Sequence, residues 1–283
     1  VLAIVSVLIS LTLIGVMQAR ELSQRVACQN NLHQIGIALT HFVETQEAFP
    51  LLSGNRGPKR GSKHTPFVAL LPELDAGALQ EVPTSGSGSI DELPPIFYRC
   101  PAGNDFLGYR FCLGKGIRTR SDQDGILRYK FNDVIRPSDV SDGLSHTVAL
   151  GERLSGKGKV GGENQRRPFA IVVMPKQAQD DVFVDRCANQ TRPYNFVEDP
   201  GIRWRGHQPV DLGYNHYFPP NCESWDCQAG FSHQLLTARS SHSAGVQAMH
   251  ADGSVRWIAS NVDIELWRAL ATIAGAETTA PVD

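Results

Sequence analysis

"VLAIVSVLISLTLIGVMQAREL", residues 1–22, opens the chain. Its first seventeen residues, Val1–Met17, carry no charge, and Arg20 and Glu21 are the first charged positions. Ser6, Ser10, Thr12 and Gly15 alone interrupt the apolar run. A run of this length sits at the short end of a membrane-spanning helix, which needs roughly 20 residues. A secretory signal would put a basic segment before the run and a small-residue cleavage site after it. Here the chain continues as "QARELSQRVACQNNLHQIGIALTHFVETQEAF", with no cleavage signal. In that continuation Cys28, Leu32, Ile35, Leu39 and Phe42 recur at steps of 4, 3, 4 and 3. Those steps make one stripe on a helix, and Gln24, Arg25, Gln29, His33 and Glu44 fall mainly off it. Pro50 is a firm stop. The pattern predicts one helix from Val1 to about Glu47, roughly 70 Å long. Its first half is apolar on every side and its second half on one side. The first half therefore belongs in a bilayer or among other such helices. At this level a plain signal anchor tethering a soluble domain reads equally well.

Of the 283 residues, 41% are hydrophobic and 20% charged, a normal globular proportion, and the net charge is −2 with no strongly basic stretch. Nucleic acid is therefore not an expected partner. The 26 glycines and 17 prolines lie mostly after residue 50 and predict a β-rich body with many turns. Near the far end, "SSHSAGVQAMHADGSVRWIASNVDIELWRALATIAGAE" holds two alternating runs around Asp252-Gly253. Asp-Gly between such runs is a strong hairpin signal, read as a two-residue type I′ turn. That register sets His250 opposite Val255 and Ala248 opposite Trp257, with Val246, Ala248, Val255 and Trp257 on one core-facing side. Asp263 then caps a short helix with Ile264, Trp267, Leu270 and Ala274 inward and Gly275 just past its end. His242 precedes Asp252 by ten positions, giving H-x9-D-G. Metal ligation by His242, His250 and Asp252 is weighed against structural roles: Asp252 in the turn, and a cap or side-chain-to-backbone bond for His242. The structural roles are favoured.

Four stretches together resemble the bacterial type IV pilin-like proteins of the DUF1559 group. "VLAIVSVLISLTLIGVMQARE" is similar to the membrane half of a prepilin helix, and "ACQNNLHQIGIALTHFVETQEAFP" to the second half-helix. "DVSDGLSHTVALGERL" resembles the central strand motif, and the stretch around His242, Asp252 and Gly253 the C-terminal H-X9-DG motif. The resemblance implies an α+β fold: a pilin-like long N-terminal helix packed on an antiparallel β-sheet, large loop-rich insertions and a short C-terminal helix. It divides the chain into an apolar half-helix at 1–21 and a head at 22–283. Within the head lie the amphipathic half-helix 22–47, variable insertions at 51–130 and 155–235, and the terminal hairpin and helix at 240–275. Mature pilin-type chains usually begin with an aromatic residue and carry a glutamate at the fifth position. This sequence starts at Val1, inside the apolar run, so a short preceding segment of that kind is expected.

The resemblance further implies inner-membrane residence before assembly, then a periplasmic or extracellular filament of identical subunits. Head-to-tail contacts that do not close give such filaments. Val1, Ile4, Ser6, Leu8, Ser10, Leu11, Gly15 and Met17 would line the filament core, and small residues among them, with Ala3, allow close helix approach. Leu32, Ile35, Leu39 and Phe42 would pack the helix on the head. Gly36 marks either a close helix approach or a close strand contact. Prepilin peptidase and pilus or type II secretion machinery are the implied partners.

The middle of the chain is less legible. Strands are expected at Thr147–Gly151 and Ala170–Met174. Cys28, Cys100, Cys112, Cys187, Cys222 and Cys227 form no CxxC pair, so in an exported chain disulfides are the better reading. Cys222–Cys227, close in sequence, and Cys28–Cys100, pinning helix to body, are expected, leaving Cys112–Cys187. Asp139 and Asp142, with Ser145, have the short spacing of a calcium loop, weighed against an ordinary Asp-Gly turn, which is favoured. His207, His216 and His233 are candidates to line a surface pocket, and "GENQRR" reads as a solvated loop. No GxSxG, HExxH or phosphate loop appears. The expected function is structural: a pilus-like or pseudopilus-like filament subunit, not an enzyme, with no cofactor expected unless calcium. The alternative is a membrane-anchored surface protein binding a small solute or glycan on the same scaffold without polymerising. A metal-dependent surface enzyme using His242 and Asp252 ranks third.

Overall fold

A computed structural model describes residues 2–51, 65–80, 93–103, 106–119, 121–128, 134–155, 171–174, 179–189, 196–197, 203–206, 208–230, 232–242 and 244–275. Val1, His207 and the GENQRR run lie outside them, as do the side chains of Leu2, Ala3, Val7, Leu8 and Leu11.

The predicted helix is present as α1, Leu2–Gln46, 45 residues without a break. It ends where Glu47 turns left-handed at φ 57°. Every described side chain from Ile4 to Ser23 is exposed, Ile9, Leu13, Ile14, Val16 and Met17 each by more than half. That stretch is about 30 Å of helix. Among the described residues no helix is long and apolar enough to cross a membrane. From Cys28 onward the helix packs down: Cys28, Leu32, Ile35 and Leu39 are fully buried and Phe42 partly so, as the stripe required.

The elements that follow are α2 (Pro66–Ala69), β1 (Tyr109–Cys112), β2 (Val148–Glu152), β3 (Ile171–Val173), α3 (Asp180–Ala188) and β4 (Phe196–Val197). They continue with α4 (Pro209–Leu212), β5 (Gly213–Tyr214), β6 (Asp226–Ala229), β7 (His233–Leu235), β8 (Gly245–His250), β9 (Val255–Ala259) and α5 (Ile264–Ala269). The strands form a five-stranded sheet, β5-β1-β2-β8-β9, and a four-stranded one, β4-β3-β6-β7. The α+β class holds, but neither sheet is purely antiparallel, since β1 pairs β5, and β3 pairs β6, in parallel. The second sheet was not foreseen, and the segment 51–130 supplies β1 to the main one.

One face of the main sheet takes α1: its stripe meets Tyr109, Phe111, Leu150 and Met249, joined by Phe67 and Tyr98. The opposite face carries Val148, Tyr214, Val246, Ala248, Ile258 and Trp267. A third core joins α3 to the second sheet through Phe183, Cys187, Cys227 and Leu235. Between the sheets Asp226 of β6 pairs with Arg153, just past β2, at 2.8 Å and with Arg239 at 3.0 Å, all three buried. Burial works against the Asp226 carboxylate, but the two guanidinium groups outweigh it and hold its pKa below the usual range.

The hairpin differs in detail from its expectation. Gly253 has φ 84° and Asp252 is not among the left-handed residues. The Gly253 N–H donates to the His250 carbonyl and the His250 N–H to the Ser254 carbonyl. The loop is thus the three-residue type I turn with a glycine bulge rather than a type I′ turn. Met249 consequently opposes Val255, and Gln247 opposes Trp257. One residue of slip exchanges the faces of β9: Ile258 enters the core, while Trp257 and Val255 turn toward the α1 side and stay partly exposed. Asp263 does cap α5, accepting from the Glu265 and Leu266 N–H groups. Trp267 and Leu270 are buried and Ile264 partly so, but α5 stops at Ala269, leaving Ala274 exposed.

Two glycines of α1 have opposite surroundings. A Cβ at Gly36 would lie 2.8 Å from the Gly253 carbonyl oxygen and 3.0 Å from the Met249 sulfur, so the hairpin tip seats directly on the helix. A Cβ at Gly15 would meet nothing within 4 Å among the described residues. Gly36→Ala should therefore cost about 1–3 kcal/mol in denaturant unfolding of the detergent-solubilised chain, whereas Gly15→Ala should be neutral or stabilise by up to about 1 kcal/mol. Asp226→Asn, which strands two buried guanidinium groups, should cost about 3–5 kcal/mol in the same measurement.

Candidate functional site

Where α1 enters the head, four segments distant in sequence converge. Cys28 of α1 forms a disulfide with Cys100, the pairing expected to pin the helix. The joint is reinforced by the Tyr109 hydroxyl donating to the Cys28 carbonyl at 3.2 Å and by the Asn31 amide donating to the Arg99 carbonyl at 2.8 Å. Glu152, the last residue of β2, reaches the same point, with Oε1 3.5 Å from Cys100 Sγ. His242, in the segment before β8, completes the group. Its Nε2 is 3.7 Å from Cys100 Sγ and 3.5 Å from Glu152 Oε1.

Both polar side chains are almost fully buried, His242 at 1% and Glu152 at 2% exposure. Burial pushes the Glu152 carboxyl up to about 7, against the opposing pull of the Gln247 N–H, the Ser240 hydroxyl and Arg25. The Gln247 N–H donates to Glu152 Oε2 at 2.9 Å. Burial also lowers the His242 pKa, Arg25 lowers it further, and Glu21 opposes both. Arg25 lies over Trp257, its guanidinium carbon 3.5 Å from the ring centre. The shifted β9 register is what brings that tryptophan to the helix side. A small cleft lined in part by Cys100, Gly108, Glu152 and Ser240 opens beside the group, with room for about one water.

The H-x9-D-G motif is thus two docking points on α1. His242 sits at the Cys28 end, while Asp252 and Gly253 form the tip that seats on Gly36. Asp252 has the turn role expected of it, accepting from the Ser254 N–H and hydroxyl. His242, by contrast, uses its ring toward Cys100 and Glu152 rather than as a cap. Among the described residues the group able to hold a metal is Cys28, Cys100, Glu152 and His242, with neither His250 nor Asp252 in it.

Other expected residues are dispersed. Cys227 pairs with Cys187, not Cys222, because its side chain faces α3 in the third core. Cys112 and Cys222 are therefore free thiols, and burial drives the Cys112 pKa up to about 12. Asp139 accepts from the Arg136 N–H and closes its own turn, whereas Asp142 accepts from the Thr272 hydroxyl and the Gly275 N–H and ties its loop to the segment after α5. His233 is buried, 2.9 Å from Asp180. His216 is a core residue stacked on Trp267 with centroids 3.4 Å apart. Its Nδ1–H donates to the Trp267 carbonyl, and its Nε2 accepts from the Tyr214 hydroxyl. Glu152 and Arg25 were not singled out from sequence. The signal for Glu152 was a charge closing an otherwise apolar strand in "TVALGER".

A family model described as "Protein of unknown function (DUF1559)" matches residues 17–92 and 109–265. No curated protein and no solved structure matches the chain.

Burial lowers the His216 pKa from 6.5 to about 3. The folded state keeps this ring neutral, while the unfolded chain takes up a proton below about 6.5, so its contribution is complete above that pH and is lost as pH falls toward 3. His216→Phe keeps the stacking but drops both hydrogen bonds. It should be less stable than wild type at pH 7, and between pH 6 and 4 its stability should fall less steeply, by up to about 1.4 kcal/mol per pH unit. Denaturant unfolding across a pH series measures this.

Proposed function

The chain belongs to the DUF1559 family, and from that premise we propose that it is a structural subunit of a type IV pilus-like or pseudopilus-like filament, not an enzyme. One observation carries this reading. A single unbroken helix is buried along one stripe from Cys28 onward, yet exposes apolar side chains from Ile4 to Met17. Exposed apolar surface on this scale needs another apolar surface to cover it. In the proposal that surface is the inner membrane before assembly and the equivalent helices of neighbouring subunits afterwards. Leu2–Met17 of α1 spans about 24 Å, somewhat short of the roughly 30 Å of a bilayer core.

Two further features support the reading. Gly15 has open space around it, so its small size serves no contact among the described residues. The disulfide, the buried stripe and the hairpin tip fix the base of the helix rigidly to the head, which gives every subunit the same projecting handle. Identical handles meeting head to tail generate a helical array. Prepilin peptidase and pilus or type II secretion machinery belong to the proposal as partners, and a periplasmic or surface filament as its location.

Electron microscopy of native surface material should show fibres of regular helical repeat that bind antibody against the head. Gly15→Leu and Ser10→Leu should abolish them while both disulfides and the head's unfolding midpoint are unchanged. A wild-type chain that stays monomeric, absent from any fibre, and retains its cellular role after removal of the first 20 or so residues would sink the proposal.

A further inference from the structure

We propose that the Cys28–Cys100 disulfide is one of two states of its site, and that in the reduced state Cys28, Cys100, Glu152 and His242 bind a zinc ion. The inference is independent of filament assembly and needs only the junction of helix and head.

The geometry is that of a four-ligand zinc site. Zinc–ligand distances of about 2.3 Å to sulfur and 2.0–2.2 Å to nitrogen or oxygen set tetrahedral ligand–ligand edges of roughly 3.3–3.8 Å. Cys100 Sγ, Glu152 Oε1 and His242 Nε2 already lie 3.5, 3.5 and 3.7 Å apart. One face of the tetrahedron is therefore in place with the disulfide intact, and all four ligand atoms lie within 4.8 Å of one another. Only the two sulfurs, now bonded, need to separate. All four residues are buried, so the site is closed, as structural zinc sites are.

Outer contacts hold the ligands in place. The Gln247 N–H fixes Glu152 through its other oxygen, and the His242 N–H donates to the Ser240 hydroxyl at 3.1 Å. Charge also balances. Two thiolates and a carboxylate around a divalent ion leave one negative charge, and Arg25 acts electrostatically on both Glu152 and His242. With the disulfide intact Glu152 is held by the Gln247 N–H through Oε2 while Oε1 faces Cys100 and His242, and in the zinc state that Oε1 is a ligand.

The change of state is a two-electron step. A dithiol delivers two electrons and two protons to the Cys28–Cys100 bond, which becomes two thiols while the dithiol closes its own disulfide. Zinc then displaces both thiol protons to solvent. In either state a bond joins α1 to the head, so the helix stays docked before and after the chain meets an oxidising compartment.

The test uses the full chain in detergent, with cobalt(II) and zinc as probes. Treatment with a non-chelating phosphine yields the thiols and the phosphine oxide, with water supplying the oxygen and protons. The reduced chain should then bind one cobalt per molecule, with thiolate-to-cobalt charge-transfer and tetrahedral d–d bands that zinc abolishes, and the oxidised chain none. Cys28→Ser, which keeps every other thiol, should lose these bands. His242→Ala and Glu152→Gln should weaken zinc binding by more than the roughly 10–100-fold cost of an outer-shell change. His242→Cys should restore it, which separates ligation from misfolding. Absence of stoichiometric uptake by the reduced chain, or bands unchanged in Cys28→Ser, overturns the proposal.

Discussion

Everything in this protein depends on how the second half of α1 docks on the main sheet. Cys28, Leu32, Ile35 and Leu39 each lose all exposure there, and burying a side chain of the Leu or Ile kind contributes about 1.5–3 kcal/mol. That apolar contact sets the helix along the sheet but leaves rotation and sliding only loosely specified. Four shape-specific, hydrogen-bonded or covalent features remove the freedom: the Cys28–Cys100 bond and the Tyr109 bond to the Cys28 carbonyl at one end, the Asn31 bond just beyond, and the Gly36–Gly253 approach two turns along. A projecting half-helix has a defined direction only because its base is held this firmly.

The terminal hairpin shows how a small backbone choice propagates. A glycine bulge in place of a two-residue turn shifts the pairing by one, and because side chains alternate with period two, every β9 residue changes face. Trp257 thereby leaves the core for the surface beneath Arg25, and Ile258 replaces it. The same bulge points Gly253 at α1, where any side chain on Gly36 would collide with it. Hairpin register and helix docking are therefore one constraint seen from two sides.

The buried polar groups follow a similar logic. Asp226 compensates Arg153 and Arg239 where the two sheets meet, and Arg110 satisfies the Leu107 and Tyr109 carbonyls and the Ser155 hydroxyl. Glu152 has no such full set of cationic partners. Its neighbours are a disulfide, a histidine and, further off, Arg25, and burial accordingly drives its pKa up. A carboxyl group left in that position is what distinguishes the helix junction from the arginine-bridged region beside it.

The sequence by itself determined the features set by local periodicity and turn chemistry. These are the unbroken N-terminal helix, its change from all-round apolarity in 1–21 to one-sided apolarity in 22–47, the strand expected at Thr147–Gly151 and found at Val148–Glu152, the Asp252-Gly253 reversal and the Asp263 cap. Each depends on neighbours three or four residues away, or on one residue's backbone preference. The tertiary structure alone decided that Cys227 bonds to Cys187, that β1 and β5 lie parallel, that a second sheet exists, and that His242 meets Glu152 and Cys100. The disulfide, the β1–β5 pairing and the His242 contacts join residues 40 to 142 positions apart. Linear spacing carries no information about such meetings, because they arise only when separate hydrophobic faces pack and bring chain-distant side chains into one volume.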